Sequence, residues 1–546
     1  MGLQMKAKLR GVLEGQMNKQ YAERLARAKR HISYEEWLRL VEETGEEREY
    51  PYYPGILSHD QKSGGSQPMP EEGTAQSLAQ RCDSGQGQGL ALLKEQGIWL
   101  ILQKDGYMDP NAFSWIADHF REYPETLLLY GDEDALDVTG EHRCSPYFKT
   151  VWSPDTWLSS FYLGSVIALR RELAEKLPQG TWPQDSEGVV FFKDFTQVRL
   201  LVHQLLKLAG GFDQGCDTIE HFPGMLFHMD YDAAQADVQR EYWREKESDG
   251  LEREHQLSLQ RELQEKSFPS ISVIIPSKDN PQVLRQCLES LEKCHLPLEI
   301  LVVDNGSSPE NKAEVEKITQ GMKYIYDPMP FNFSKMCNRG AREAGGEVLL
   351  FLNDDITVCA DGWLEAMADR ALRPYVGAVG LKLYYPDSTK IQHVGIANLP
   401  GGPVHKLQFT QDGQEEDFGY GSLDRNVIAV TGACLMVQQE RFWQTGGFRE
   451  DLQVAYNDVD LCFRLLELGW HNVVLNSFHA YHHESLSRGS DLDREKMQRL
   501  CQEKQTLYHR HHQYLDYDPY YPEPLCMELG DMHIYENYLK LYSCSR

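Results

Sequence analysis

The chain has 546 residues and a formal net charge of −28, from 83 acidic against 55 basic side chains. A surface that acidic repels nucleic-acid phosphates, which excludes bulk nucleic-acid binding, and the length exceeds what one hydrophobic core supports, so two or more domains are expected. The twelve scattered cysteines show no CxxC spacing and read as reduced thiols, excluding a disulfide framework or a zinc site.

No stretch approaches the ~18 apolar residues of a membrane span, and no signal-peptide pattern is present, so the expectation is a cytoplasmic protein. Residues 1–50 read as an N-terminal helical segment, with Leu9, Leu13, Met17, Tyr21 and Leu25 at i,i+4 spacing. Its basic face either packs on its own domain or makes peripheral contact with the inner face of the cell membrane. Residues 51–97, rich in Gly, Ser and Gln, read as a linker. From 98 to 231 strands and helices alternate: a strand at Ile98–Leu102, a helix over 112–121, and a strand at Leu127–Tyr130 ending in Gly131-Asp132-Glu133-Asp134. Residues 232–268 are dense in charge and read as a helical linker.

Residues 269–490 carry the chemistry. Ile271–Pro276 and Leu298–Val303 read as strands, Tyr324–Tyr326 as a third, with helices after the first two and over Phe333–Ala344. Right-handed crossovers between such units give a parallel sheet with its polar loops on one edge. Val348–Leu352 is an uninterrupted apolar run, the mark of a strand buried on both faces, and it delivers Asn353-Asp354-Asp355 to that edge, where ligands of open α/β sheets bind. Carboxylates there suit a hard divalent cation shared with a phosphate. Asp304 reaches the same edge from the second strand, suited to a nucleobase or ribose. Neither a dinucleotide fingerprint nor a P-loop is present. Thr431-Gly432-Ala433 interrupts an apolar strand over Val427–Val437. Asp458 opens a helix running to about Leu468, either as a helix cap or as a carboxylate kept ionised by the helix dipole. His482 closes a strand, as a structural histidine or as a metal ligand. In the tail, 491–546, a polar helix is expected over 491–513, and His509, His511 and His512 read as its solvated end and not as a metal cluster.

Eight segments together resemble glycosyltransferase family 2, in particular its bacterial tandem-domain polysaccharide, O-antigen and rhamnosyl transferases. They are SVIIPSKD (272–279), VVDNGS (302–307), PFNFSKMCNRGA (330–341), LLFLNDDI (349–356), VGAVGLKLYYPD (376–387), VTGACLMV (430–437), AYNDVDLCFRL (455–465) and YHHESLSRG (481–489), in family order. The resemblance implies an α/β nucleotide-diphospho-sugar transferase (GT-A-like) fold with a central, mostly parallel sheet, preceded by a degenerate copy of itself. It implies an inverting enzyme that uses Mn²⁺ or Mg²⁺ and moves a sugar from a nucleotide-diphosphate donor to a glycan or lipid-linked saccharide acceptor, in building a bacterial surface polysaccharide. Asp458 would be the catalytic base. Pro276, Ser277, Asp304, Asn338 and Asp354 would bind the donor, Thr431, Gly432 and Ala433 the acceptor, and Asp355 and His482 the metal. The N-terminal half resembles the same family at GDED (131–134), YFK (147–149), WSPD (152–155) and LFH (226–228), but lacks the opening donor-binding strands. Where the family has DHDD this chain has Gln103-Lys104-Asp105-Gly106, and where it has QDYD, Lys193-Asp194-Phe195-Thr196. The half is therefore expected to be an inactive domain. The rival reading is a non-catalytic pseudo-transferase that binds carbohydrate or acts as a scaffold.

Overall fold

A computed structural model describes residues 90–229 and 268–522, apart from 96, 104–105, 137–142, 179–181, 183–188, 193–194, 295, 359–360, 400–401, 414–418 and 484–493, together with short strands at 31–32, 525–528 and 531–535. The expected N-terminal helix and the charged linker before residue 268 lie outside the described residues. The bulk of the chain divides into two compact units, Ile32–Gln256 and Leu257–Asn537.

In the first unit the strands are β1 (Leu90–Glu95), β2 (Ile98–Gln103), β3 (Gly106–Met108), β4 (Leu128–Leu136), β5 (Arg143–Tyr147), β6 (Val166–Arg170), β7 (Val189–Phe192) and β8 (Ile219–Met229). Their order is β3-β8-β4-β6-β2-β1-β7, with β5 beside β4. Helix α1 (Ala112–Glu122) joins β3 to β4, and α2 (Phe195–Leu208) precedes β8. The linker expected to reach residue 97 ends earlier, because β1 pairs antiparallel with β2 through a tight turn at Gly97.

The second unit is built on β9 (Ile271–Ser277), β10 (Leu298–Asp304), β11 (Lys323–Tyr326) and β12 (Val348–Leu352), with α3 (Pro281–Leu291), α4 (Pro309–Ile318) and α5 (Phe333–Glu343) as crossovers. β9 pairs in parallel with β10 and β12, and β10 with β11, as the strand–helix repeats require. The crossovers start where the chain supplies caps: Ser308 Oγ accepts from the Asn311 amide before Pro309, and the Asn332 side chain accepts from the Lys335 amide. α5 lies flush on the sheet because Gly340 has no side chain, and a Cβ there would come within 2.5 Å of Ile274 Cγ2. Beyond β12 the sheet continues through β13 (Ile356–Val358), α6 (Trp363–Leu372), β14 (Val376–Tyr384), β15 (Ile391–His393), the hairpin β16 (Ile396–Leu399)–β17 (Gly402–His405), β18 (Arg425–Val427), β19 (Cys434–Gln438), α7 (Asn457–Glu467) and β20 (His471–His482). The order is β11-β10-β9-β12-β19-β14-β20-β13, so the parallel half is joined to a mixed half through the antiparallel β12–β19 pair.

That mixed half occurs twice in the chain. β12-β19-β14-β20-β13 run antiparallel, antiparallel, parallel, antiparallel. β2-β6-β4-β8-β3 of the first unit repeat the same senses in the same chain order. α6 and α7 stand where α1 and α2 stand. The difference lies on the other side: β12 has the parallel strand β9 beside it, whereas β2 has the antiparallel β1. Among its described residues the first unit therefore shows the second half of the fold, with no parallel βαβ strands beside β2.

The C-terminal helix α8 (Arg494–Arg510) is not a solvated tail. Glu503, 5% exposed, accepts hydrogen bonds from the Gln453 and Ala455 amides, and Asp518 accepts from the Asn398 amide. His511 is 3% exposed, with Nδ1 at 2.6 Å from Glu467 and Nε2 at 3.2 Å from Asp460, so the expectation of a solvated histidine there is wrong. The chain just after the helix docks on α7, where the rings of Phe463 and Tyr514 pack tilted at 46° with centroids 4.4 Å apart and His511 meets the acids of that helix.

Candidate active site

A carboxylate and a histidine, Asp355 and His482, meet at the carboxyl edge of the second sheet. Strand β12 ends at Leu352, and the Asn353 amide donates to the Ala433 carbonyl at 2.9 Å, which pins the acidic turn beside Thr431-Gly432-Ala433. The antiparallel register of β13 and β20 sets Ile356 opposite His482. Asp355, one residue earlier, thereby faces the imidazole: His482 Nε2 lies 3.1 Å from Asp355 Oδ1, with the two side chains 12% and 11% exposed.

The tautomer of His482 follows from its neighbours. Nδ1 lies 2.8 Å from Gln392 Oε1 and donates to it, while Asn353 Nδ2 points at Nε2 from 3.4 Å. In the neutral ring Nε2 is then a lone pair beside a carboxylate, an arrangement that a cation, or a proton on Nε2, satisfies. Two adjacent ligands of an octahedral cation with bonds of about 2.1 Å are about 3.0 Å apart, which the pair matches. Among the described residues no group of three or more His, Cys, Asp or Glu is placed to hold a metal ion unaided. The residues thus fit a cation that takes its other ligands from substrate or water. Gln392 orients the histidine from behind, a role that sequence reading missed.

The remaining expected residues divide. Asp354 is turned away from Asp355, and Ser277 Oγ, at the end of β9, donates to its Oδ2 at 2.6 Å. Pro276 is buried in β9 and Ser277 pairs with Asp304 across the strands. Asp304 is fully buried, its Oδ1 accepting from the Ser307 amide at 2.8 Å and its Oδ2 from Tyr324 Oη at 2.7 Å. Burial and the Asp304 carboxylate push the Tyr324 phenol up, so it stays a donor. Asn338 does not join the site: it is buried, its Nδ2 donates to the Phe448 carbonyl and its Oδ1 accepts from the Phe448 amide, which fastens α5 to the segment after Gly447.

Asp458 is the second residue of α7, after Tyr456 at the cap position with φ of 59°, and so is not itself the cap. Its Oδ2 accepts from the Gly432 amide at 2.8 Å and its Oδ1 from the Val459 amide at 2.8 Å. Asn353, Gly432, Asp458 and His482 border one cavity of about 170 Å³, closed on its far wall by Gln392, His393 and His405. Among these, sequence reading singled out neither Gln392 nor the two wall histidines. Each is an isolated residue on a short strand, with no spacing signal to mark it.

The first unit lacks the pair. In its β3–β8 register Tyr107 stands opposite His228, as Ile356 stands opposite His482, so Gly106 holds the place of Asp355. A Cβ on Gly106 would overlap the His228 carbonyl oxygen and the Phe227 ring. His228 instead places Nδ1 at 2.5 Å from the buried Asp134 and Nε2 at 3.4 Å from Asp109. Burial works against its charged form, but the two acids outweigh it and hold the imidazole above its ordinary value. Arg143 completes the cluster with a 2.6 Å contact to Asp134.

Residues 272–445 match the family described as "Glycosyl transferase family 2". The chain carries a family 2 glycosyltransferase domain. This family 2 domain has a nucleotide-diphospho-sugar transferase fold, in which the parallel β9–β12 half joins the mixed half described above. Over 460 residues the chain is 30% identical to the uncharacterized protein y4gI of Sinorhizobium fredii, covering 79% of this chain and 48% of that protein. It is 32% identical over 415 residues to the O-antigen biosynthesis protein RfbC of Myxococcus xanthus, covering 72% of this chain and 31% of that one. It is 26% identical over 215 residues to the N-acetylglucosaminyl-diphospho-decaprenol L-rhamnosyltransferase of Mycobacterium tuberculosis, covering 36% of this chain and 69% of that one. The chain thus spans half or less of the length of the first two relatives. Among the described residues no helix is long and apolar enough to cross a membrane.

Proposed function

We propose that the family 2 domain transfers a sugar from a nucleotide-diphosphate donor to a hydroxyl of a glycan or lipid-linked saccharide, with inversion, in the synthesis of a surface polysaccharide. The observation that carries this is one cavity bordered by both Asp458 and His482, with Asp355 Oδ1 3.1 Å from the histidine's Nε2. The relatives with assigned names, an O-antigen biosynthesis protein and a rhamnosyltransferase, support the same class of product.

In this reading the nucleoside lies over Pro276, Ser277 and Asp304, with Asp354 nearer the sugar or ribose. Asp355 and His482 hold Mn²⁺ or Mg²⁺, which when bound offsets the charge of the departing diphosphate. The acceptor hydroxyl enters over Thr431-Gly432-Ala433 and gives its proton to Asp458 as its oxygen attacks the anomeric carbon. The new C–O bond forms as the bond to the diphosphate breaks, and that electron pair leaves on the diphosphate oxygen. The Gly432 amide bonded to Oδ2 fixes the carboxylate beneath the acceptor path. A single base, with no nucleophile placed for a covalent intermediate among the described residues, supports inversion.

The first unit is read as non-catalytic. Gly106 cannot supply a ligand where Asp355 does, and the strands that would carry a nucleotide are absent from its described sheet. Peripheral contact with the inner face of the cell membrane stays an expectation for residues 1–30, to be tested by liposome sedimentation of the intact chain beside a deletion of that segment.

The test is a calorimetric and turnover screen of nucleotide sugars with Mn²⁺ or Mg²⁺. A donor that binds only with metal, loses binding in Asp355→Ala, and binds without turnover in Asp458→Asn supports the transferase. No donor binding under any condition sinks it and leaves a scaffold.

A further inference from the structure

The loop that follows β17 is bonded along its length to the segment that contains β15. The Lys406 amide donates to the Gly395 carbonyl at 3.0 Å, the Phe409 amide to the Ile391 carbonyl at 2.8 Å, and the Ile391 amide to the Thr410 carbonyl at 2.8 Å. Within the loop the Thr410 amide closes a turn on the Leu407 carbonyl at 3.0 Å, and the Thr410 hydroxyl donates to the same oxygen at 2.7 Å. Two residues of this turn, Leu407 and Phe409, have φ of 51° and 73°. Bulky L side chains seldom take that left-handed conformation, because Cβ crowds the carbonyl oxygen. Packing holds both there: Leu407 is buried, and Phe409 stacks on Tyr385 with ring centroids 5.4 Å apart and planes at 11°.

Between the two strained residues stands Gln408. It is half-buried, and it lines the same cavity as Asp458 and His482. Its Nε2 donates to Tyr385 Oη at 3.1 Å, the one hydrogen bond of its side chain among the described residues. A carboxamide has two N–H donors and a carbonyl oxygen that accepts. The bond to Tyr385 therefore fixes the side chain and leaves an N–H and the carbonyl oxygen for a ligand. Left-handed strain persists only where the surrounding structure over-determines it, and it gathers at ligand clamps. Here it presents a polar amide to a cavity.

What the cavity holds follows from its borders. In an inverting transfer the anomeric carbon lies between the attacking hydroxyl, beside Asp458, and the departing diphosphate oxygen, on the cation at His482. A cavity bordered by both groups is the space of the sugar in transit, and the hydroxyls of that sugar that do not react face the remaining walls. Pro276, Ser277 and Asp304, the residues read as the nucleoside site, do not border it.

We propose that Gln408 is a specificity-determining residue for the donor, its amide bonding a non-reacting hydroxyl of the sugar being transferred. This deepens the transferase reading and rests on it. The ligand class is a nucleotide-diphosphate sugar whose ring carries a free hydroxyl facing Gln408. The contact adds to the affinity for the sugar and not for the nucleotide, and a donor without that hydroxyl is discriminated against.

The experiment uses the full chain, as wild type, Gln408→Leu, Gln408→Met and Asp355→Ala. Calorimetry with Mn²⁺ compares UDP, dTDP and GDP with their linked hexoses and 6-deoxyhexoses, and then with monodeoxy analogues of the donor that binds best. Both Gln408 variants should bind the nucleoside diphosphate as the wild type does and the nucleotide sugar about tenfold more weakly, the effect of one lost hydrogen bond. One monodeoxy donor should bind the wild type about tenfold more weakly than its parent, with no such gap in the variants. Unchanged nucleotide-sugar affinity in both variants overturns the inference, even where turnover falls, because Gln408 then faces the acceptor. Equal weakening of nucleoside diphosphate and nucleotide sugar overturns it as well, since a merely structural loop acts on both. If neither variant folds, the deoxy series on the wild type decides: no analogue weaker than its parent overturns the proposal. A wild type that binds no nucleotide or nucleotide sugar, or binds one equally after Asp355→Ala, sinks the transferase reading itself, whereas the outcomes above overturn the inference alone.

Discussion

Glu503 on the C-terminal helix offers the sharpest test of how Asp458 is held. Its carboxylate, almost fully buried, accepts from the Gln453 amide at 3.1 Å and the Ala455 amide at 2.7 Å, in the segment that leads into α7. Replacing Glu503 with Ala leaves two amide donors without a partner. Hydrogen bonds to a charged group contribute about 1.5–3 kcal/mol each. Partial access of water to a segment near the surface brings the sum to about 2–4 kcal/mol. For a unit of this size about 1 kcal/mol moves the melting temperature by about 2–4 °C, so the transition of the second unit should fall by roughly 5–15 °C. Glu503→Gln keeps one acceptor oxygen and should lose less than half as much. Because the same segment sets the start of α7, turnover should fall in Glu503→Ala below the melting range while donor affinity holds. Differential scanning calorimetry of the intact chain with a parallel turnover assay reads both. A melting shift under about 2 °C together with unchanged turnover would show that the C-terminal helix does not support the site.

Asp458→Asn should lower turnover about 10²–10⁴-fold with donor affinity unchanged, since the amide oxygen can still accept from Gly432; retained turnover in a steady-state assay would remove Asp458 as base. Gln392→Ala should weaken Mn²⁺ affinity about 10–100-fold by releasing the His482 tautomer, read by Mn²⁺ titration with electron paramagnetic resonance, and no change would detach Gln392 from the metal pair. His511 is drawn two ways: burial lowers its pKa, but the bonds to Asp460 and Glu467 outweigh that and raise it above 6.5. A raised folded pKa gives stability that is fully present below about pH 6.5 and lost as pH rises through the folded value. His511→Gln should therefore lower the melting temperature more at pH 5.5 than at pH 8.5. The charged groups facing it are Asp460, Glu467 and, through Asp460, Arg464. An equal loss at both pH values would refute the ion pair.

The parallel half of the second sheet was legible in the chain, because its central strands β9 and β12 are apolar runs buried on both faces and α4 and α5 open on local side-chain caps. The positions of Asp304, Asp355, Asp458 and His482 at strand or helix ends were legible for the same reason. His511 was misread, since a histidine after a polar helix carries no mark of the acids on α7 that bury it. Asn338 was misplaced because a buried asparagine that staples two backbones looks the same in sequence as one that faces a ligand. Why the first unit has no counterpart of the Asp355–His482 contact among its described residues could not be read from the chain, because it depends on which residue the β3–β8 register sets beside His228.

By itself the sequence determined the element types, the carboxyl edge on which the acids gather and the family to which the domain belongs, because these rest on local periodicity and on side-chain types in fixed order. The tertiary structure alone decided the contacts made across strands and between distant helices. These are the facing of Asp355 and His482, the tautomer imposed by Gln392, the seating of Gln408 against Tyr385, and the Glu503 clamp behind Asp458. Each joins residues from 23 to well over 100 positions apart. Their distances are set by sheet register and packing, which no local pattern encodes.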